Sequence, residues 1–296
     1  MSIDHRRPDV AIAPRDLYDG LAQASSALVL RRYSTSFSLA CRLLDEPVRS
    51  RVRAIYALVR LADEIVDGPF SGIDPDRTAR LLDALENETY DAVRAGYSTN
   101  LVVHAFALTA RACRVGPELI APFFASMRAD LVVATHDEES LTAYIYGSAE
   151  VVGLMCLRAF LSGQPHAAGA YELLAPGARR LGAAFQKVNF LRDLAADHDG
   201  LGRTYVDAAD VEHLTEPERD VLLDDIDADL AFAAIAITHL PRSSRRAVHA
   251  AHGLFAELSR RLRRTPAPDI LRARVRVPAL VKARIVAAAV LTGSRS

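Results

Sequence analysis

Apolar residues recur every three or four positions through most of the chain, and proline and glycine cut this repeat at intervals that suit helices of ordinary to considerable length. The breaks fall near Gly68 to Pro75, Gly96 to Asn100, Gly116 to Pro117, Gly163 to Pro165, Gly200 to Gly202, Pro241, and Pro266 to Pro268. Segments alternating apolar with polar are scarce, and short β-prone runs such as Leu101 to Val103 lie inside helical periodicity. The pattern predicts an all-α protein. No linker, tandem repeat or low-complexity tract interrupts the 296 residues. A single domain is expected, with residues 1–20, rich in charge and proline, as a flexible N-terminal extension.

Three predicted helices carry stripes of a different character from their apolar faces. The first opens at Pro47, repeats Val48, Val52, Ile55, Val59, Ala62 and Val66, and closes at Gly68, which places proline in the first turn and glycine past the end. Along it Tyr56, Arg60, Asp63 and Asp67 are spaced 4, 3 and 4, so a tyrosine, a cation and two carboxylates share a face. The second, Pro176 to Ala196, aligns Gly182, Gln186, Asn189, Asp193 and Asp197 beside an apolar face that includes Leu181, Phe185, Val188 and Leu191. A third, Leu141 to Leu161, aligns Tyr144, Ser148, Val152 and Met155, with Gly153 allowing a close approach. Two polar stripes facing each other would line a deep polar mouth above an apolar cavity.

Paired carboxylates one turn apart destabilise an isolated helix by roughly 0.2 to 0.5 kcal/mol, so they call for a counter-charge. Oxygen donors with no histidine or thiolate beside them suit Mg²⁺, with Mn²⁺ as the alternative ion, better than zinc. Cys41, Cys113 and Cys156 stand apart from one another, and the nine histidines lack ligand spacing, so both sets are expected to pack or to face solvent. Asp225 and Asp229 in LLDDIDADL repeat the acidic spacing, but no ordered motif surrounds them. They are expected to be a solvated pair, and Lys187 a solvent-facing neighbour of the second stripe.

With 36 basic against 37 acidic residues the chain lacks the positive footprint of a nucleic-acid binder, and no nucleic-acid partner is expected. No apolar leader and no uninterrupted apolar run of about 18 residues is present, which predicts a cytoplasmic protein. The arginines between Arg242 and Arg276 are expected chiefly to form a solvated helical face; peripheral contact with anionic lipid is the competing reading. No feature of the sequence speaks to oligomeric state.

Several ordered segments together resemble the squalene and phytoene synthase family of head-to-head prenyl transferases. They are Tyr33-Ser34-Thr35-Ser36-Phe37, AIYALVR (54–60) leading into DEIVD (63–67), SMRADL (126–131), Tyr144 to Met155 ending in VGLM, QKVNFLRD (186–193), and Arg203-Thr204-Tyr205. The sequence is most similar to the family's bacterial phytoene synthase branch. Glu64 stands where many members have aspartate, Ala196 where an acid is common, Glu150 where glycine is usual, and Asp207 where proline commonly follows. The last ninety residues match no motif but are compatible with closing helices.

The resemblance implies an isoprenoid-synthase-type helical bundle around a central cavity, and Mg²⁺-dependent coupling of two geranylgeranyl diphosphates through prephytoene diphosphate to phytoene, without NADPH. It implies metal ligation by Asp63 and Asp67, by Asp193 and Asp197, and by Asn189. Arg60, Arg192 and Arg203 are candidates for diphosphate contact through bidentate guanidinium bonds. Tyr33, Ser34, Thr35, Ser36 and Gln186 would add substrate contacts. Tyr56, Tyr144 and Tyr205 could orient diphosphate, shield a carbocation or assist proton loss. Structural duties compete: Ser34 as a helix cap, Tyr33 and Tyr56 as packing residues, Arg192 as a partner of neighbouring carboxylates. The near alternative is squalene or dehydrosqualene formation from farnesyl diphosphate. From other classes come a terpene cyclase working on one diphosphate and a non-catalytic binding or assembly homologue, which the intact aspartates disfavour.

Overall fold

The computed structural model describes residues 13–68, 74–132, 137–200 and 214–292, without the side chains of 194–200 and 292. Among the described residues there is no strand. The helices are α1 (Pro14–Tyr33), α2 (Thr35–Cys41), α3 (Val48–Asp67), α4 (Pro75–Ala95), α5 (Leu101–Cys113), α6 (Pro117–Val132), α7 (Glu138–Ile145), α8 (Val151–Leu161), α9 (Ala167–Gly200), α10 (Glu216–Ile237), α11 (Arg242–Arg264), α12 (Ala267–Ile270) and α13 (Ala279–Thr292). A π-turn, Tyr146–Glu150, joins α7 to α8.

Local chemistry sets most of these ends. Asp74 caps α4 by accepting from the Arg77 amide, Pro75 opens the helix, and Gly96 closes it in the left-handed region at φ 75°. Thr215 and Glu218 form a reciprocal capping box on α10. Pro47 occupies the N-cap of α3 rather than its first turn. Helix α1 starts at Pro14, inside the stretch expected to be an extension, whereas residues 1–12 lie outside the described region.

Pro176 was expected to open the second striped helix, yet α9 runs 34 residues from Ala167 with that proline inside. The buried Leu174 before it and the close contact between Gly177 and Ala236 after it hold both sides of the proline against neighbouring helices. Tertiary packing thus outweighs the hydrogen bond that proline forfeits.

The largest core cluster joins α3, α4, α5, α6 and α8 through Ile55, Leu58, Leu82, Phe106, Phe123, Phe124 and Met155. Each of its fully buried large side chains is worth about 1.5 to 3 kcal/mol of transfer free energy. A second cluster, including Val188, Leu191, Leu223, Leu230, Phe255 and Leu262, seals α9 against α10 and α11. Glu138–Leu161 is long and apolar enough to cross a membrane by length and composition. Here it packs against α3, α6 and α9 as a wall of the interior.

Glycine brings that wall close to α9. A Cβ on Gly153 would lie 2.5 Å from the Ala178 carbonyl oxygen, and one on Gly182 would lie 2.5 Å from the Ala149 carbonyl oxygen. Gly182 therefore serves backbone contact, not a polar stripe.

Asp229 departs from the expected solvated pair. It is 2% exposed, with Arg180 Nη1 and Lys187 Nζ each 2.7 Å away, and Lys187 also reaches exposed Asp225. Lys187 consequently bridges α9 to α10 and does not face solvent freely. His104 is likewise buried, its Nε2 2.7 Å from Asp19 Oδ1, tying α5 to α1.

Candidate active site

A cavity of about 820 Å³ lies between α2, α3, α7, α8, α9, α10, α11 and the segment 274–282. Both acidic stripes open into it. From α3 come Tyr56, Arg60, Asp63 and Asp67; from α9 come Gln186, Asn189, Arg192 and Asp193; from the junction of α1 and α2 come Tyr33, Ser34, Thr35 and Ser36.

On α9 the lining begins at Leu174 and ends at Asp193, passing from aliphatic through Phe185 to amide and carboxylate. At 1.5 Å per residue those positions are about 28 Å apart along the helix. The cavity is thus a deep apolar chamber with a polar mouth.

The wall from α7 and α8 contributes Tyr144, Ser148 and Val152 as expected, then Cys156 and Phe160. Met155, expected on the same stripe, is instead buried in the main core. A π-turn inserts one extra residue per turn, which displaces the later positions by one. Tyr144 is buried and donates its hydroxyl to Asp130 Oδ2 at 3.0 Å. Asp130, quoted within the SMRADL segment without a role, joins the lining.

Charge is unevenly compensated at the mouth. Arg60 pairs closely with Glu64, lies 3.9 Å from Asp63 Oδ2, and stacks 4.4 Å from the Tyr33 ring centroid. Burial, opposed by Arg60 and reinforced by Asp67, Asp130 and Glu64, pushes the Asp63 carboxyl up to about 7. Burial also pushes Tyr56 up to about 12, so its phenol stays protonated. The hydroxyl of Ser34 accepts from the Phe37 amide at 3.1 Å, so its capping duty is real. Arg192 pairs with adjacent Asp193 at 2.9 Å through Nε.

Arg274 and Arg276, expected on a solvated helical face, and Lys282, given no role by the sequence, are three further cations of the site. Arg274, Arg276 and Lys282 all line the mouth. Arg274 Nε sits 2.8 Å from Asp193 Oδ1, and Lys282 Nζ donates to Thr35 Oγ1 at 3.0 Å. Burial, together with Arg192 and Arg276, depresses Lys282 below its ordinary value. Lys282 thus has cations for neighbours at the mouth, as Asp63 has carboxylates.

Three expected members are wholly or partly outside the described residues. Asp197 lies on α9, but its side chain is not among those described, and Arg203 and Tyr205 lie outside the described residues. Three arginines of α11 are engaged with acids: Arg260 and Arg261 with Glu257, and Arg263 with Asp224 and Asp227.

Among the described residues, no three of His, Cys, Asp and Glu converge on one point. Mg²⁺ takes one or two carboxylates and completes its shell with water and substrate phosphate, and Asp63 and Asp67 of α3 and Asp193 of α9 line the mouth as oxygen donors of that kind. Arg60 Nε and Ser148 Oγ are buried in the lining with no hydrogen-bond partner among the described residues, so they can still serve a ligand. Hard oxygen donors facing guanidinium groups fit a metal–diphosphate.

The sequence model for squalene/phytoene synthase matches residues 30–281. The chain belongs to the squalene/phytoene synthase family. The match extends well beyond the ordered motifs, into the segment that supplies Arg274 and Arg276. Phytoene synthase 3, chloroplastic, of Zea mays is 33% identical over 203 residues, covering 66% of this chain and 44% of its own length. The 4,4'-diapophytoene synthase of Staphylococcus haemolyticus is 29% identical over 202 residues, 66% of this chain and 67% of that protein. Phytoene synthase of Mycobacterium tuberculosis is 28% identical over 280 residues, 88% of each chain. The chain therefore spans under half the length of the maize relative, and nearly all of the mycobacterial one. A dehydrosqualene synthase crystallised with a ligand shares the fold, with a TM-score of 0.76 at 20% identity over 96% of this chain and 100% of that one.

Proposed function

We propose that this chain catalyses magnesium-dependent head-to-head condensation of two geranylgeranyl diphosphates to phytoene through prephytoene diphosphate, releasing two diphosphates. One observation carries the reading: the carboxylates of Asp63, Asp67 and Asp193 and the cations of Arg60, Arg192, Arg274, Arg276 and Lys282 meet at the mouth of one apolar chamber. A metal–diphosphate supplies cations to the first and anions to the second.

Arg60, Arg192, Arg274, Arg276 and Lys282 would hold the diphosphate oxygens, with Ser34, Thr35, Ser36 and Gln186 adding hydrogen bonds. Asp63, Asp67, Asn189, Asp193 and Asp197 would hold the ions. Mg²⁺ bound there supplies neutralisation of the charge that develops as the allylic C–O bond breaks. The apolar walls, among them Phe37, Val152, Leu181 and Phe185, exclude water from the cationic carbon. Tyr56, un-ionised, offers an O–H donor and a ring face; Tyr144 is held in place by Asp130. Arg203 and Tyr205 are proposed to complete the site.

In the first step C1 of one substrate loses diphosphate and bonds to the double bond of the other, and proton loss closes a cyclopropane. Ionisation of that intermediate, rearrangement and a second proton loss give the hydrocarbon. Hydride is not consumed, so NADPH is not required.

Farnesyl diphosphate is the second reading, favoured by the Staphylococcus relative named 4,4'-diapophytoene synthase. Purified protein incubated with each diphosphate, with and without NADPH, and analysed for hydrocarbon separates the two. A forty-carbon product formed without NADPH supports the proposal; a thirty-carbon product rejects it.

A further inference from the structure

Helix α13 is apolar on both of its faces. Inward, Val281, Val286 and buried Ala289 pack toward α2, α9 and α11. Outward, Leu280 is 86% and Leu291 69% exposed, and exposed Ala283 and Ala287 lie between them on the same side, broken only by Arg284. A helix that is hydrophobic all round is ordinarily buried or in lipid. Scattered exposed leucines are common, but here they form a stripe beginning at the mouth of the cavity, because Lys282 of the same helix reaches Thr35.

The charge around this stripe has one sign. Residues 271–292 contain Arg272, Arg274, Arg276, Lys282 and Arg284 and no aspartate or glutamate. Arg274 is engaged with Asp193 inside the mouth, and Arg272 is 3.6 Å from Asp269; Arg276 and Arg284 are exposed along the rim. On α11, by contrast, Arg260, Arg261 and Arg263 are matched by acids of α10 and of α11 itself.

We propose that the outward face of α13 and the basic rim at 272–284 form an interfacial docking surface for an anionic membrane leaflet. An amphipathic surface of this kind lies in the headgroup plane with its apolar face sunk toward the acyl chains and its cations among lipid phosphates. Docked so, the cavity mouth faces the leaflet, and prenyl tails pass between lipid and chamber without crossing bulk water. Charge complementarity selects the lipid surface over a second copy of the chain, since two copies would juxtapose like-charged rims.

The chain has no tryptophan, so Leu291→Trp in the full-length protein introduces a single reporter. With vesicles of equal parts phosphatidylglycerol and phosphatidylcholine, its emission is expected to shift to the blue and to be quenched by brominated acyl chains. Pure phosphatidylcholine vesicles should produce neither change. Co-sedimentation with the anionic vesicles should fall on the order of tenfold at raised salt. A fall of similar size is expected in the Leu280→Asp/Leu291→Asp double variant, with its helical circular dichroism checked. Equal binding to both vesicle types, wild-type binding by a folded double variant, or a reporter shielded by self-association without lipid would overturn the proposal. No prenyl diphosphate is present, so the outcome is independent of the reaction proposed above.

Discussion

Arg274 Nε lies 2.8 Å from Asp193 Oδ1, with Nη2 3.3 Å from Oδ2, across 81 residues of sequence. The closing segment of the chain thereby reaches back to the second acidic stripe. This pairing places a guanidinium beside Asp193 at the mouth of the cavity. A charge-assisted hydrogen bond contributes about 1.5 to 3 kcal/mol, so Arg274→Gln should weaken use of the diphosphate substrate by roughly 10- to 100-fold. Steady-state kcat/KM measures this, with circular dichroism as the control for folding.

Asp63→Ala and Asp193→Ala should each lower turnover by roughly 10² to 10³ or more, the scale on which removal of one transition-state charge stabiliser is felt. The fold should survive both. Asp63→Ala removes a half-buried carboxylate facing Asp67, Asp130 and Glu64, so its thermal midpoint without metal should equal or exceed wild type. Wild-type turnover in either variant excludes the metal-ligand role.

The raised Asp63 value carries a definite pH dependence. With its folded-state value at about 7 and the ordinary value at 3.8, the folded protein binds more protons than the unfolded chain between those limits. Stability contributed by this group therefore falls as pH rises through that window and levels off above it. Thermal unfolding in EDTA should show the decline, Asp63→Asn should flatten it, and Mg²⁺ added at pH 8 should recover stability by binding the native state. A flat wild-type profile that Mg²⁺ leaves unmoved counts against the cluster.

Gly153→Ala and Gly182→Ala should each destabilise the protein by about 1 to 3 kcal/mol, because the new methyl meets backbone, which cannot swing aside. Spreading α8 from α9 also deforms a cavity wall, so activity should fall further than stability alone accounts for. Chemical denaturation paired with activity at matched folded fraction makes the comparison.

Helical period alone put Tyr56, Arg60, Asp63 and Asp67 on one face of α3 and Gln186, Asn189 and Asp193 on one face of α9, because spacing on a helix fixes which side chains share a face, and both faces line the cavity. What sequence could not supply came from tertiary contact. Arg274 and Arg276 precede α13 in a stretch without helical period, and nothing local indicates that they fold over Asp193. Asp229 looks like a surface acid until Arg180 and Lys187 of α9 are seen to meet it. The π-turn at Tyr146–Glu150 has no signature in the apolar pattern, so Cys156 continues the lining stripe where Met155 was expected. Pro176 looked like a helix start because proline usually is one.

The carboxylates of α3 and α9 and the cations at the mouth are proposed to share one metal–diphosphate, and calorimetric titration of inorganic diphosphate tests this most directly. Tight binding with Mg²⁺, largely lost in EDTA and in Asp63→Ala, is the predicted result. Equal binding with and without the ion, or no binding in either condition, would contradict it.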